Sequence, residues 1–111
     1  MQSPSYFSGI VKILETPQQK VLKNKITTTQ FRALLPQSRK NKLSKIVKLT
    51  FWGKLASDIK SYYQMDDYIL IEGYVSIKKK NNKNVKNLNS KSVNITIIKF
   101  YPISLKTKEY N

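Results

Sequence analysis

Residues 47–79 read VKLTFWGKLASDIKSYYQMDDYILIEGYVSIKK, and the changes of period within them decide the fold. Val47, Leu49 and Phe51 alternate with Lys48, Thr50 and Trp52, the two-residue repeat of a strand with one buried face. Gly53 breaks the repeat. Leu55, Ile59 and Tyr62 follow at i, i+4 and i+7, the stripe of a short amphipathic helix within 53–65. Asp66-Asp67 turns the chain, and alternation returns over 67–79. Ile69, Ile71, Val75 and Ile77 point one way, with Gly73 in register; Tyr68, Leu70, Glu72, Tyr74, Ser76 and Lys78 point the other. A glycine inside a strand predicts strong curvature. The chain's single tryptophan sits on the polar side of the first of these strands, directly before the helix.

Outward from this segment the remaining elements fall into place. Residues 5–14, SYFSGIVKIL, predict a first strand, with Gly9 marking a bulge or sharp bend. ETPQQK makes a turn around Pro17. Residues 25–35, KITTTQFRALL, are rich in β-branched side chains and predict a second strand. Phe31, Ala33 and Leu35 share one of its faces; Gln30, Arg32 and Leu34 share the other. Pro36 ends it, and PQSRKNKLSK (36–45) is a basic loop before the third strand at 46–52. The segment KKKNNKNVKNLNSKS (78–92) has too little apolar surface to order itself and predicts a mobile loop. SVNITIIKFYPISL (92–105) is the fifth strand, and 106–111 is a short tail. The order is three strands, one helix, two strands, with no internal repeat. An all-β chain of this order, with one short helix between strands three and four, is the five-stranded Greek-key barrel of the OB-fold. One domain spans 1–111, with the barrel over 5–105.

Composition narrows the chemistry. The chain has no cysteine and no histidine, which removes disulfides, thiolate nucleophiles, imidazole bases and the usual zinc ligands. Glu15, Asp58, Asp66, Asp67, Glu72 and Glu109 are its only carboxylates, and none forms an acid–base pair. Asp66-Asp67 could hold Mg²⁺, but adjacent carboxylates at such a turn read as solvated turn residues. No enzyme activity, cofactor or metal is expected. With 21 Lys+Arg against 6 Asp+Glu the formal net charge is +15, above the usual ~2–8 of a small domain. That excess predicts a polyanionic partner, nucleic acid before an anionic membrane face. No run approaches the ~20 apolar residues of a membrane span. MQSPSYFSGIVKIL lacks basic residues ahead of its apolar run, so it is neither a secretory signal nor an Arg-rich transit peptide. The protein is expected to act in the compartment that makes it. Lysine outnumbers arginine 19 to 2, a bias that by the genetic code suggests an AT-rich genome, such as that of a plastid or an AT-rich bacterium.

The residues also resemble a known family. Phe51-Trp52-Gly53-Lys54-Leu55-Ala56 and Ile71-Glu72-Gly73, at this separation, resemble the third strand, helix and fourth strand of bacterial-type single-stranded DNA-binding proteins. Phe31-Arg32-Ala33-Leu34 matches the second strand more loosely, and the likeness covers 5–105. GIVKILETPQQKVL is similar to a divergent branch of short proteins from cyanobacteria and from red-algal and glaucophyte plastids. The resemblance implies an OB-fold, binding of single-stranded DNA without strong sequence preference, and frequent homodimers or homotetramers. It also implies work in DNA replication, recombination or repair, in a plastid (chloroplast) stroma or otherwise a bacterial cytoplasm. Of the family's stacking positions in strands three and four, Trp52 keeps its ring, while two others fall on Ile46 and Lys80.

The chemistry of such a site is simple. Bases of a single strand expose π-faces, and an aromatic ring on a curved sheet stacks on any of them for about 1–3 kcal/mol. Trp52 is the first candidate; the alternatives are that it packs in a dimer interface or under the helix. Tyr74 is the second, while Phe31 belongs to the core side. Tyr62 continues the apolar stripe and packs, or lies at an oligomer contact. Arg32, Lys48, Thr50, Lys54 and Lys78 surround Trp52 on the same face or its edge. Lys45 on one side, and Lys79, Lys80 and Lys83 on the other, extend the cations into the flanking loops. Cations so placed neutralise phosphates and release counterions. With only two arginines, base-specific readout is not expected. Two other readings stand beside this one: an RNA-binding OB module, and an OB-fold structural or adaptor protein, since fold does not fix function.

Overall fold

The computed structural model describes residues 5–36, 45–79 and 91–103. Six strands and one helix follow in the order β1 (Ser5–Ile13), β2 (Gln18–Val21), β3 (Thr27–Leu35), β4 (Lys45–Trp52), α1 (Lys54–Tyr62), β5 (Tyr68–Lys79) and β6 (Lys91–Pro102). The sheet runs β1-β5-β6-β4-β3-β2, and a further β1–β3 pairing closes β1, β5, β6, β4 and β3 into a ring of five. All pairings are antiparallel except β4–β6, which is parallel. This is the OB barrel, with the helix between its third and fourth ring strands.

The alternation seen in the sequence is what fills the barrel. Val11, Ile13, Phe31, Ala33, Val47, Leu49, Phe51, Ile69, Ile71, Ile95 and Ile97 point inward and are buried. Phe31 and Phe51 stack at 5.4 Å, and Phe100 meets Phe51 edge-on at 5.7 Å. Helix α1 closes one end by burying Ala56 and Ile59, and the Thr29 hydroxyl of β3 donates to the Ala56 carbonyl at 2.7 Å. Burying a side chain of the size of Phe51 or Ile59 contributes about 1.5–3 kcal/mol.

Two glycines meet physical requirements of the barrel. Gly53, between β4 and α1, adopts φ 61 and ψ −130, a region where a Cβ is strained. Gly73 sits at a register shift of the β5–β6 ladder, and a Cβ there would stand 2.3 Å from the Thr96 carbonyl oxygen. Gly9 differs from expectation. Its β1–β5 register is unbroken, and what it leaves room for is the Phe7 ring, whose far edge would stand 2.8 Å from a Cβ.

Three other expectations are corrected. QQKV, read as part of a turn, is strand β2, paired with β3 from Gln18↔Gln30 to Val21↔Thr27. Tyr62 does not pack: it is 75% exposed. The helix ends there, and Tyr63 is extended at φ −128, ψ 151, so the Tyr63 ring turns in against Phe100 at 5.6 Å instead. The ladder of β5 and β6 runs through Lys78↔Ser92 and Lys79↔Lys91, so both ends of the segment expected to be a loop are strand. The rest of that segment, 80–90, lies outside the described residues, as do 37–44 of the basic loop. Asp66-Asp67 forms the turn expected of it, with Asp66 at φ 76 and the Asp67 carboxylate accepting the Gln64 N–H at 2.9 Å.

Candidate nucleic-acid interface

The outer side of β4 carries Ile46, Lys48, Thr50 and Trp52, because its inner side is taken by Val47, Leu49 and Phe51. Cross-strand register extends these positions into rows. Lys20 of β2, Thr28 of β3 and Trp52 of β4 form one row; Gln18, Gln30 and Thr50 form the next; Arg32 and Lys48 form the third. Between them lies an open groove of about 320 Å³ lined by Glu15, Gln18, Lys20, Thr28, Gln30, Phe31, Arg32 and Lys48.

Trp52 is 43% exposed. It ends β4 because Gly53 turns the chain into α1, and the Gly53 N–H is held by the Thr27 carbonyl at 2.8 Å. The indole is therefore neither core nor packed beneath the helix. It borders a groove with Lys20 and Lys48 on its outer rows. Lys20 escaped the sequence reading because four exposed or half-exposed residues carry no hydrophobic repeat.

The other expected residues fall into three groups. Lys45 and Lys48 are exposed on β4 itself. Lys78 and Tyr74 are on the outer side of β5. Tyr74 lies two strands from β4, a lateral gap of about 10 Å, and its ring meets that of Tyr6 edge-on at 5.9 Å. Lys79 ends β5 opposite Lys91; Lys80 and Lys83 lie outside the described residues.

Three expected contacts are engaged within the protein. Arg32 donates from its backbone N–H and its Nε to the two oxygens of Glu15, at 2.7 and 2.8 Å. That pairing holds the Glu15 carboxyl below the usual carboxylate range, chiefly through the backbone hydrogen bond, and offsets the guanidinium charge. Lys54 lies on α1 and reaches Asp58 one turn along at 3.3 Å. Thr50 is buried at 4% exposure, and its hydroxyl donates to Asn94 Oδ1 at 2.8 Å. It faces the right way but is sunk in the sheet.

A second patch occupies the β1–β5–β6 side of the barrel. Tyr6, Ile10, Tyr68, Tyr74, Ile98 and Tyr101 are exposed there. Glu72 stands among them and accepts from the Tyr6 and Tyr101 hydroxyls; these bonds hold its carboxyl low and push both phenols up. Among the described residues no cluster of carboxylates could hold a metal, and no helix is long and apolar enough to cross a membrane.

Comparison with known proteins places this barrel among relatives. No family model matches the chain. A protein of Trieres chinensis described as "Putative single-stranded DNA-binding protein ycf41" is 35% identical over 102 residues, covering 91% of this chain and 90% of that one. Three solved structures share the fold. A small single-stranded DNA-binding protein from Streptomyces coelicolor superposes with a TM-score of 0.71 at 12% identity, covering 93% of this chain and 96% of that one. The SSB domain of a Synechococcus sp. protein gives 0.70 at 14%, covering 91% and 98%. The second single-stranded DNA-binding protein of Mycobacterium smegmatis gives 0.68 at 17%, covering 96% and 100%. On the identity and coverage of the Trieres protein, the chain belongs to the single-stranded DNA-binding protein family, as a relative of ycf41.

Proposed function

We propose that the protein binds single-stranded DNA without strong sequence preference, stacking bases on Trp52 and neutralising phosphates with Lys20, Lys48, Lys45 and Lys78. The single observation that carries this is a half-exposed tryptophan beside an open groove flanked by unburied lysines, on a chain of net charge +15. Arg32 and Lys54 add charge that Glu15 and Asp58 partly offset. Tyr74 extends the surface toward β1. Lysine, a point charge with rotatable donors, suits backbone tracking rather than bidentate base readout. Family membership supports DNA as the ligand and DNA replication, recombination or repair as the setting. The lysine-for-arginine bias and the likeness to ycf41 support a plastid stroma. The exposed apolar patch of β1, β5 and β6 supports a homodimer or homotetramer built away from the groove.

Trp52 supplies its own probe, being the only tryptophan. Oligo(dT) is expected to quench its fluorescence, less so as salt rises. Trp52→Ala is expected to cost at least ~1 kcal/mol of binding. Unchanged emission at low salt with saturating oligo(dT) would refute the stacking role. Competition by oligo(U) measures the preference for DNA over RNA.

A further inference from the structure

The outer side of the sheet carries a hydrogen-bond relay that runs in one direction. Gln30 Nε2 donates to Thr50 Oγ1 at 3.4 Å, and the Thr50 hydroxyl donates to Asn94 Oδ1 at 2.8 Å. A hydroxyl has a single proton. Having accepted from Gln30, Thr50 gives that proton to Asn94. Thr50 is buried, so the link is shielded from competing water. Asn94 itself is half-buried on β6, with Lys48 of β4 opposite on one side and Ser76 of β5 on the other. The relay thus ends in the same row as Lys48.

Fixing the carbonyl changes what the asparagine offers a ligand. A free side-chain amide pairs with adenine through both of its ends, accepting from N6 and donating to N7. Asn94 has its acceptor end occupied by Thr50, which leaves the N–H pair as a donor. A donor alone is matched by a carbonyl oxygen: O2 or O4 of thymine, O2 of cytosine, O6 of guanine. We infer that Asn94, held by Thr50, is a specificity-determining residue that favours bases carrying a carbonyl over adenine. This inference rests on the proposed binding of single-stranded DNA across the Trp52 face. The bias is small against the sequence-independent electrostatic term, because one net hydrogen bond changes affinity roughly two- to tenfold.

The test compares oligo(dT) with oligo(dA) of equal length, by Trp52 quenching and by anisotropy of labelled strands. Self-stacking of free oligo(dA) is the same for every variant and cancels when ratios are compared. Thr50→Val releases the Asn94 carbonyl and is expected to lower the dT:dA affinity ratio through a gain on oligo(dA). Asn94→Ala is expected to lower it through a loss on oligo(dT), with oligo(dA) unchanged. Each change is expected to be roughly two- to tenfold. Melting curves establish that each variant is folded; if Thr50→Val is not, Asn94→Ala alone decides. An unchanged ratio in the folded variants overturns the inference, yet leaves the binding face standing if Trp52→Ala still weakens both ligands. If Trp52→Ala weakens neither, the binding face itself is refuted, and the inference with it.

Discussion

Glu15 shows how one side chain can serve both barrel and site. Its two oxygens take the Arg32 N–H and Nε at 2.7 and 2.8 Å, at the mouth of the groove. The folded state therefore lowers its pKa. A carboxyl depressed on folding stabilises the protein above its unfolded pKa, about 4.3, and that share is lost as pH falls through the folded value. Glu15→Gln is expected to lower the melting temperature near neutral pH, with a gap to the wild type that closes on acidification toward about pH 3. A gap of constant size across that range would show that the charge of Glu15 plays no part. On DNA the same substitution works the other way: it removes the counter-charge from Arg32 and is expected to strengthen binding at low salt.

At the scale of the element, α1 illustrates what a repeat can and cannot reveal. Leu55, Ile59 and Tyr62 fit a helical stripe, and the helix is present at Lys54–Tyr62. The stripe misjudges its last member because it assumes the helix continues; the chain is extended at Tyr63, and that ring enters the core edge beside Phe100. Tyr63→Ala is expected to cost about 1–3 kcal/mol and Tyr62→Ala within about 0.5 kcal/mol, measured by urea unfolding. Equal losses would mean that the two rings share the packing. The four ring strands around this helix were legible for a related reason: each has one face in oil and one in water. Strand β2 has no buried face, so periodicity was silent, and Lys20 was lost with it. The Gln30–Thr50–Asn94 relay was illegible for another reason. It links residues 44 apart through a parallel pairing, and no local pattern encodes which distant strand will lie alongside. Trp52 was legible because a large ring on the polar side of an alternating strand is a local contradiction that burial cannot resolve.

For the whole molecule, charge and apolar surface are segregated. The groove side carries Lys20, Lys48 and Trp52, while the β1–β5–β6 side carries Tyr6, Ile10, Tyr68 and Tyr101. Copies of a chain of net charge +15 repel one another unless they meet through surfaces poor in lysine. The tyrosine side is such a surface, and Glu72 within it adds a negative charge. Sedimentation equilibrium is expected to report a dimer or tetramer, and Ile10→Lys to return a monomer whose Trp52 is still quenched by oligo(dT). A wild-type monomer mass at micromolar concentration would refute assembly through this side.

The ring is not equally strong around its circumference. Between β1 and β5 eight residue pairs are in register, and between β3 and β4 another eight, but β1 and β3 share only two, Lys12↔Leu34 and Ile13↔Ala33. The Leu14 N–H to the Arg32 carbonyl and the Glu15 clasp on Arg32 lie immediately beyond them. A barrel closed in this way has a latch rather than a uniform wall. Loosening it parts two strands beside the groove without disturbing the β5–β6 ladder, so thermal breathing of the molecule is concentrated where a nucleic-acid strand would enter.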